Sequence, residues 1–391
     1  MSERTLSEWQ AAATALKIDG RAFINGRRCS SSSGETRPTL NPANGETLTN
    51  VAYCNAEDAN TAIATSRATF ESGVWSRMAP TDRKMILVRW AELVEKHSDE
   101  IALLETLDVG KPISDTLNVD VGSAVRTIRW SGEAIDKMYD EITPTSSDCL
   151  ALVTREALGV VAAIVPWNLP LSTTAWKLAP SLATGNSVIL KPASNTPLSA
   201  LRIADLAAEA GLPDGVLHVL PGSGGSLGQH LATHMDIDGM TFTGSTPVGK
   251  QLMEYSGQSN LKRTFLELGG KSPNIVFADA NLEKAASSAA LAVYWNGGQT
   301  CTAGTRLIVE ESILDDFLAR VIEESKAWMP GNPMDPATVM GPMIDAAQCN
   351  TVCEYVAIGR AEGAKLVFGG TKTMEGTGGH YHEPTIFAGV S

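Results

Sequence analysis

Between positions 159 and 243 short unbroken apolar runs alternate with longer stretches in which apolar residues return at helical spacing. The runs at 160–165, 187–190, 216–220 and 240–243 read as buried strands, and the stretches between them as helices. Strict alternation of this kind predicts a parallel sheet covered by helices, with ligands at the carboxyl ends of its strands. Thr196 and Pro197 open one of these helices as cap and first residue, and Gly211 to Pro213 close it.

The chain before this region carries a different rhythm. An opening strand at 22–26 is followed by a helix over 81–107, capped by Thr81 and stopped by Gly110, with Ile86, Trp90, Leu93, Val94, His97, Ile101 and Leu104 at helical spacing. A second helix spans 113–138 and carries Asp120 with the pair Arg129-Trp130. A Ser/Thr-rich break at 143–149 precedes an alternating, exposed strand at 150–156, which reads as a small bridging element. After Gly270 come a strand at 274–277, a helix at 282–295, a strand at 306–310, helices at 315–328 and 346–362, and a glycine-rich connection at 369–379.

Composition narrows the partners. With 391 residues, 43% of them hydrophobic, the chain can bury a large core divided into two or three domains. A formal charge of -13 and a pI near 5.0 would repel phosphate backbones and anionic membranes, which leaves small molecules. The longest apolar run, 157–166, is too short to span a bilayer, and residues 1–28 contain no apolar signal core. Six scattered cysteines, at 29, 54, 149, 301, 349 and 353, suit reduced thiols and the cytoplasm. Cys349, Cys353, His380 and His382 fit no structural-zinc spacing, and no metal is expected.

Two glycine-bounded segments hold candidate chemistry. Leu266-Glu267-Leu268-Gly269-Gly270-Lys271 sets a carboxylate among apolar residues, where burial would raise its pKa and suit it as a base. Asn296-Gly297-Gly298-Gln299-Thr300-Cys301 sets an exposed thiol behind two glycines that permit close approach. Taken singly, a cysteine is more often a small buried hydrophobe and a glutamate a solvated strand end. Gly222 to Gly228 narrowly misses a dinucleotide fingerprint. Phe242-Thr243-Gly244-Ser245-Thr246-Pro247-Val248-Gly249 is a strand, a small-residue turn and a helix start, whose amides could receive a pyrophosphate; it could equally be a plain capped turn. Pro166-Trp167-Asn168-Leu169-Pro170 and Ile189-Leu190-Lys191-Pro192-Ala193-Ser194 end the first two sheet strands.

The near miss at Gly222 to Gly228 aside, the other five motifs, taken in chain order, resemble the aldehyde dehydrogenases over essentially the whole chain. The resemblance implies an α/β fold with a Rossmann-type cofactor sheet from 1–144 and 159–266, bridging and oligomerisation strands at 145–158, and a catalytic domain from 267 to 391. Relatives continue past the equivalent of Ser391 through a Glu-Ile-Phe-Gly-Pro motif, so the catalytic domain is expected to be incomplete here. Cys301 would attack the aldehyde as thiolate, and Asn168 with the Cys301 amide would hold the oxyanion of the thiohemiacetal. Hydride would pass to the nicotinamide, and Glu267 would activate water on the thioester. Lys191, matched to the family lysine that binds the adenosine ribose, completes the catalytic set.

The cofactor, NAD or NADP, would lie against Ile164, Pro166, Trp167, Lys191, Ser194, Gly224, Gly228, Phe242, Thr243, Gly244, Ser245, Val248, Leu268 and Gly269. Serine at 194, where NAD-preferring relatives often carry glutamate, removes a charge that would repel a 2′-phosphate. Within the family the chain looks closest to aminoaldehyde and γ-glutamyl-γ-aminobutyraldehyde dehydrogenases. Substrate contacts would come from Asp120 at the tunnel mouth and from Leu169, Trp176, Trp295, Thr300 and Thr302. Asp120 could instead be an exposed helix carboxylate, and the tryptophans core residues. A homodimer or homotetramer is implied. The alternative from another class is a non-catalytic NAD(P)-binding or interaction protein.

Overall fold

The apolar runs become the centre of one sheet in the computed structural model, which describes residues 4–390. The chain opens with α1 (Leu6–Ala15), capped reciprocally by Thr5 and Glu8, and the hairpin of β1 (Ala22–Ile24) and β2 (Arg27–Cys29). A second antiparallel pair, β3 (Thr36–Leu40) and β4 (Thr47–Ala52), leads into α2 (Ala56–Ser72), α3 (Pro80–Lys96), α4 (Ser98–Val109), the single turn α5 (Ile113–Asp115) and α6 (Gly122–Ala134). An exposed hairpin, β5 (Glu141–Thr143) with β6 (Ala151–Val153), ends this part.

The alternating part runs β7 (Val160–Ile164), α7 (Pro170–Ala183), β8 (Ser187–Lys191), α8 (Leu198–Ala210), β9 (Leu217–Val219), α9 (Gln229–Thr233), β10 (Gly239–Gly244), α10 (Thr246–Gln258) and β11 (Arg263–Leu268). Last come β12 (Pro273–Val276), α11 (Leu282–Tyr294), β13 (Arg306–Val309), α12 (Leu314–Ser325) and α13 (Ala346–Ala361), then the short antiparallel pair Lys365–Phe368 and Ile386–Ala388.

The main sheet has the order β11-β10-β7-β8-β9-β1-β2, parallel from β11 to β9, with the opening hairpin added antiparallel at one edge. Every residue of β7, β8 and β9 is buried, as expected of parallel strands with helices on both faces. Alternate residues feed two cores: Ala163, Val188 and Leu190 face α3, α4, α6, α7 and α8, while Ala162, Ile164 and Ile189 face α2, α9 and α10. The chain proceeds from β7 through β8 to β9, then returns to place β10 on the other side of β7. That reversal opens a crevice at the carboxyl ends of β7 and β10.

Several boundaries differ from expectation. The single helix expected over 81–107 is two, broken at His97, which ends α3 and begins α4 while its ring meets Glu100 at 2.9 Å. Pro80 rather than Thr81 starts it, whereas Gly110, in the left-handed region at φ 82°, stops it as expected. The helix expected over 113–138 is interrupted by a wider π-helical stretch, Thr116–Val121. The bridging hairpin begins at Glu141, ahead of the boundary drawn at 145, and its return strand covers only 151–153. Thr196 does not cap α8; the Leu198 amide donates instead to Asp108 Oδ2 of α4, at 2.9 Å.

Distant segments are stitched beside α4. The Ile113 amide donates to Pro333 O at 2.8 Å, Met343 N to His380 O at 2.7 Å and His380 N to Pro42 O at 3.3 Å. Gly341 lies so close that a Cβ on it would stand 1.9 Å from Gly110 O.

Candidate active site

Asn168 follows β7 at the crevice and does not fold back on its own backbone. Its Nδ2 donates to Gln299 O at 2.7 Å, and Asn296 Nδ2 in turn donates to Asn168 O (3.0 Å) and Gln299 O (3.2 Å). Gln299 is held from both ends, its Oε1 accepting from Ile344 N at 3.0 Å and its Nε2 donating to Asn296 O at 2.9 Å. Asn296, Gly297 and Gly298 are all left-handed, with φ of 54°, 64° and 74°. Such a turn is open to glycine and, among other residues, best tolerated by asparagine. The half-buried Cys301 therefore sits just beyond a turn that three side-chain amides fix in place.

The acid segment meets this loop at the backbone: a Cβ built on Gly270 would lie 3.3 Å from Cys301 O. Glu267 lies on β11, opposite Thr243 in parallel register. The burial expected for it is absent. Leu266 and Leu268 turn inward, and the period of two turns Glu267 outward to an exposed position.

Lys177, unmarked by any motif, lies behind Glu267. It is buried, donates to Thr241 Oγ1 at 3.0 Å, and burial lowers its pKa to about 8 against the opposing pull of the Glu267 charge. A signal was available in the sequence: Lys177 and Lys191 are the only charges between Glu156 and Arg202. Both prove buried, at 9% and 4% exposure.

A second hidden group underlies the loop. Lys111 and Asp120 form an ion pair at 2.8 Å with neither side chain exposed, and Ser172 adds a 3.1 Å hydrogen bond to Asp120. Asp120 is thus neither an exposed carboxylate nor a free charge at a tunnel mouth. Burial raises Glu105 to about 7, Asp108 to about 8 and Asp115 to about 6. Lys111 Nζ also stands 5.5 Å from the centre of the Trp295 ring.

The residues expected to hold a dinucleotide lie at or just after the carboxyl ends of β7, β8, β9, β10 and β11, with Val248 on α10. Ile164 is buried, and Pro166 and Trp167 are half-buried, at the end of β7. Lys191 Nζ donates to Pro192 O (2.9 Å) and Gly222 O (3.1 Å), and burial alone brings its pKa down to about 8. Ser194 Oγ donates to the same Gly222 O at 2.9 Å. Gly224 borders open space, and Gly228 packs near Lys191. Phe242, Thr243 and Gly244 end β10; Ser245 precedes α10 without a side-chain hydrogen bond to its amides, so that helix N-terminus stays open to an anion. Val248 is exposed on α10, and Leu268 packs against Gly249. This donor set fits a dinucleotide.

Of the remaining expected substrate residues, Leu169 is buried and Trp295 half-buried, while Trp176 is 47% exposed and therefore not core. Thr302 is exposed, and Thr300 Oγ1 is buried without a partner.

Residues 29–391 match the family model for the aldehyde dehydrogenase family. The chain belongs to that family. It is 49% identical to the NADP/NAD-dependent aldehyde dehydrogenase PuuC of Escherichia coli K12, over all of this chain and 78% of PuuC. The P. syringae indole-3-acetaldehyde dehydrogenase AldA, solved with NAD+ and IAA, superposes with a TM-score of 0.98 at 56% identity, over 99% of this chain and 79% of AldA. The γ-glutamyl-γ-aminobutyraldehyde dehydrogenase of Burkholderia cenocepacia superposes at 0.97 with 49% identity, over 98% and 78%. Among the described residues of this aldehyde dehydrogenase, no helix is long and apolar enough to cross a membrane.

Proposed function

We propose that this aldehyde dehydrogenase oxidises an aldehyde with a cationic amino end to its carboxylic acid, using NAD or NADP. The observation that carries the reading is the Asn168 side-chain amide fixed beside the Cys301 loop. One N–H of that amide is held by Gln299 O, which leaves the other to meet an oxygen on a carbon bonded to Cys301 Sγ. Such a donor is worth about 3 kcal/mol in the transition state.

Cys301 as thiolate adds to the aldehyde carbon, and Asn168 with the Cys301 amide stabilises the resulting oxyanion. When bound, the nicotinamide supplies the hydride acceptor. Glu267, exposed on β11, takes a proton from the water that attacks the thioester, releasing the acid and the thiol. Serine at 194 presents no carboxylate to a 2′-phosphate, which supports use of NADP beside NAD, as in the NADP/NAD-dependent relative PuuC.

The aminoaldehyde reading draws on the Burkholderia relative. A second reading, an arylacetaldehyde, is favoured by the exposed Trp176 and by the likeness to AldA. Cofactor reduction measured with NAD and NADP against ω-aminoaldehydes, indole-3-acetaldehyde and uncharged aliphatic aldehydes separates the two. Cys301→Ser should remove at least about a thousandfold of that rate while cofactor still binds. Binding without reduction of any aldehyde by the unaltered chain would favour a non-catalytic dinucleotide-binding protein.

We further propose self-association through the β5–β6 hairpin, which exposes Tyr139, Ile142, Leu150 and Leu152. A cytoplasmic location suits the six unpaired thiols.

A further inference from the structure

Of the six free cysteines, only Cys349 and Cys353 share an element: they lie four residues apart on α13 and so on one face of that helix. Cys349 is 2% exposed and Cys353 half-buried, so the pair is reached from outside past Cys353. Burial and the neighbouring Cys353 thiol push the Cys349 thiol up, and the charge of Lys372 pulls it back down. Lys372 is held over this turn of the helix, its Nζ donating to Asn350 Oδ1 at 2.8 Å. No step of the aldehyde chemistry uses this pair.

Spacing decides what two such thiols can do. Side chains four apart on a helix hold their Cβ atoms about 5–6 Å from one another, wider than the span of about 3.5–4.5 Å that a disulfide needs. Oxidation to a disulfide would have to unwind α13. The same spacing suits one ion between two sulfurs, because bonds of about 2.3 Å set two thiolates in line about 4.6 Å apart.

The ligand count then selects the ion. Among the described residues no group of three or more His, Cys, Asp or Glu side chains is placed to hold a metal, so no third ligand of these kinds joins the two sulfurs. Structural zinc takes four ligands and an iron–sulfur cluster four cysteines, whereas copper(I), a soft closed-shell cation, is satisfied by two thiolates in a line.

We infer that Cys349 and Cys353 form a two-coordinate site for a soft monovalent cation, copper(I). Both thiols release their protons to solvent as the ion binds, and no electron moves. The bis-thiolate so formed carries one net negative charge, which the Lys372 ammonium faces.

The test titrates the unaltered chain, reduced and kept under argon, with copper(I) against a chromogenic copper(I) chelator, beside Cys353→Ser and Cys349→Ser. The unaltered chain should hold one ion at this site, and either variant should bind it at least about a hundredfold more weakly, the loss expected when two tethered ligands become one. Cys353 is the safer exchange for folding, being half-buried where Cys349 is in the core. A second readout needs no variant: copper(I) should shield Cys353 from iodoacetamide, followed by peptide mass spectrometry, while the exposed Cys149 still reacts. Zinc at the same concentration should leave Cys353 open to alkylation. Copper(I) held as tightly by Cys353→Ser as by the unaltered chain, Cys353 alkylated at full rate in its presence, or equal shielding by zinc each overturns the assignment.

Discussion

The strands β7 and β8 and the strands β11, β12 and β13 are built from similar residues but solvated very differently. The first two are buried at every position, whereas the other three alternate between covered and open, leaving Phe265, Ile275 and Ile308 about half exposed. The cores reflect this, one extending over seven helices and the small one under β12 and β13 holding only Val276, Ala286, Ala289, Phe317 and Val321 as buried members. The candidate active site straddles the two. Asn168 and Lys191 stand at the ends of fully clad strands, and Glu267 and Cys301 belong to the half-clad side. The difference separates a scaffold that sets geometry from a face that is easily altered without touching it.

The largest effect that would sharpen this contrast is in stability. Leu190→Ala, deep in β8, should cost about 2–5 kcal/mol in denaturant unfolding, and Ile275→Ala, on the open side of β12, no more than about 0.5 kcal/mol. Equal costs would abolish the distinction. Next in size, Asn168→Ala should lower kcat about a hundredfold to a thousandfold with little change in the melting temperature, because it removes one donor and no core volume. A parallel fall in KM-independent binding of the cofactor would instead mean that the loop had collapsed.

The smallest effect is in pH dependence. Asp108 and Glu105 carry pKa values raised by burial to about 8 and about 7, so the folded chain keeps protons that the unfolded chain releases near pH 4. Stability should therefore fall as pH rises from about 4 to about 8 and level off above that window. Asp108→Asn, which retains an oxygen for Leu198 N, should flatten the slope in a pH series of melting curves. An unchanged slope would place the protons elsewhere.

How much of this was visible in the residues alone follows the same division. Strands buried on both faces announce themselves as unbroken apolar runs, and the sheet was legible from them. Asn168 and Lys191 were legible because each ends or follows such a run, and Glu267 and Cys301 because each sits in a glycine-bounded segment. The break at His97 was not, since apolar spacing continues through it. Nor was the Lys111–Asp120 pair, which depends on the π-helical stretch turning Asp120 inward. Glu267 was misjudged because apolar neighbours suggested burial, although in a strand they lie on the opposite face.

The stitching beside α4 bears on how the polypeptide matures at the ribosome. Gly110 emerges early, but Gly341, Pro333 and His380, which close over that neighbourhood, emerge more than two hundred residues later. Until they arrive, the end of α4 and the loop at Pro42 must wait unfinished, a natural stopping place for chaperones.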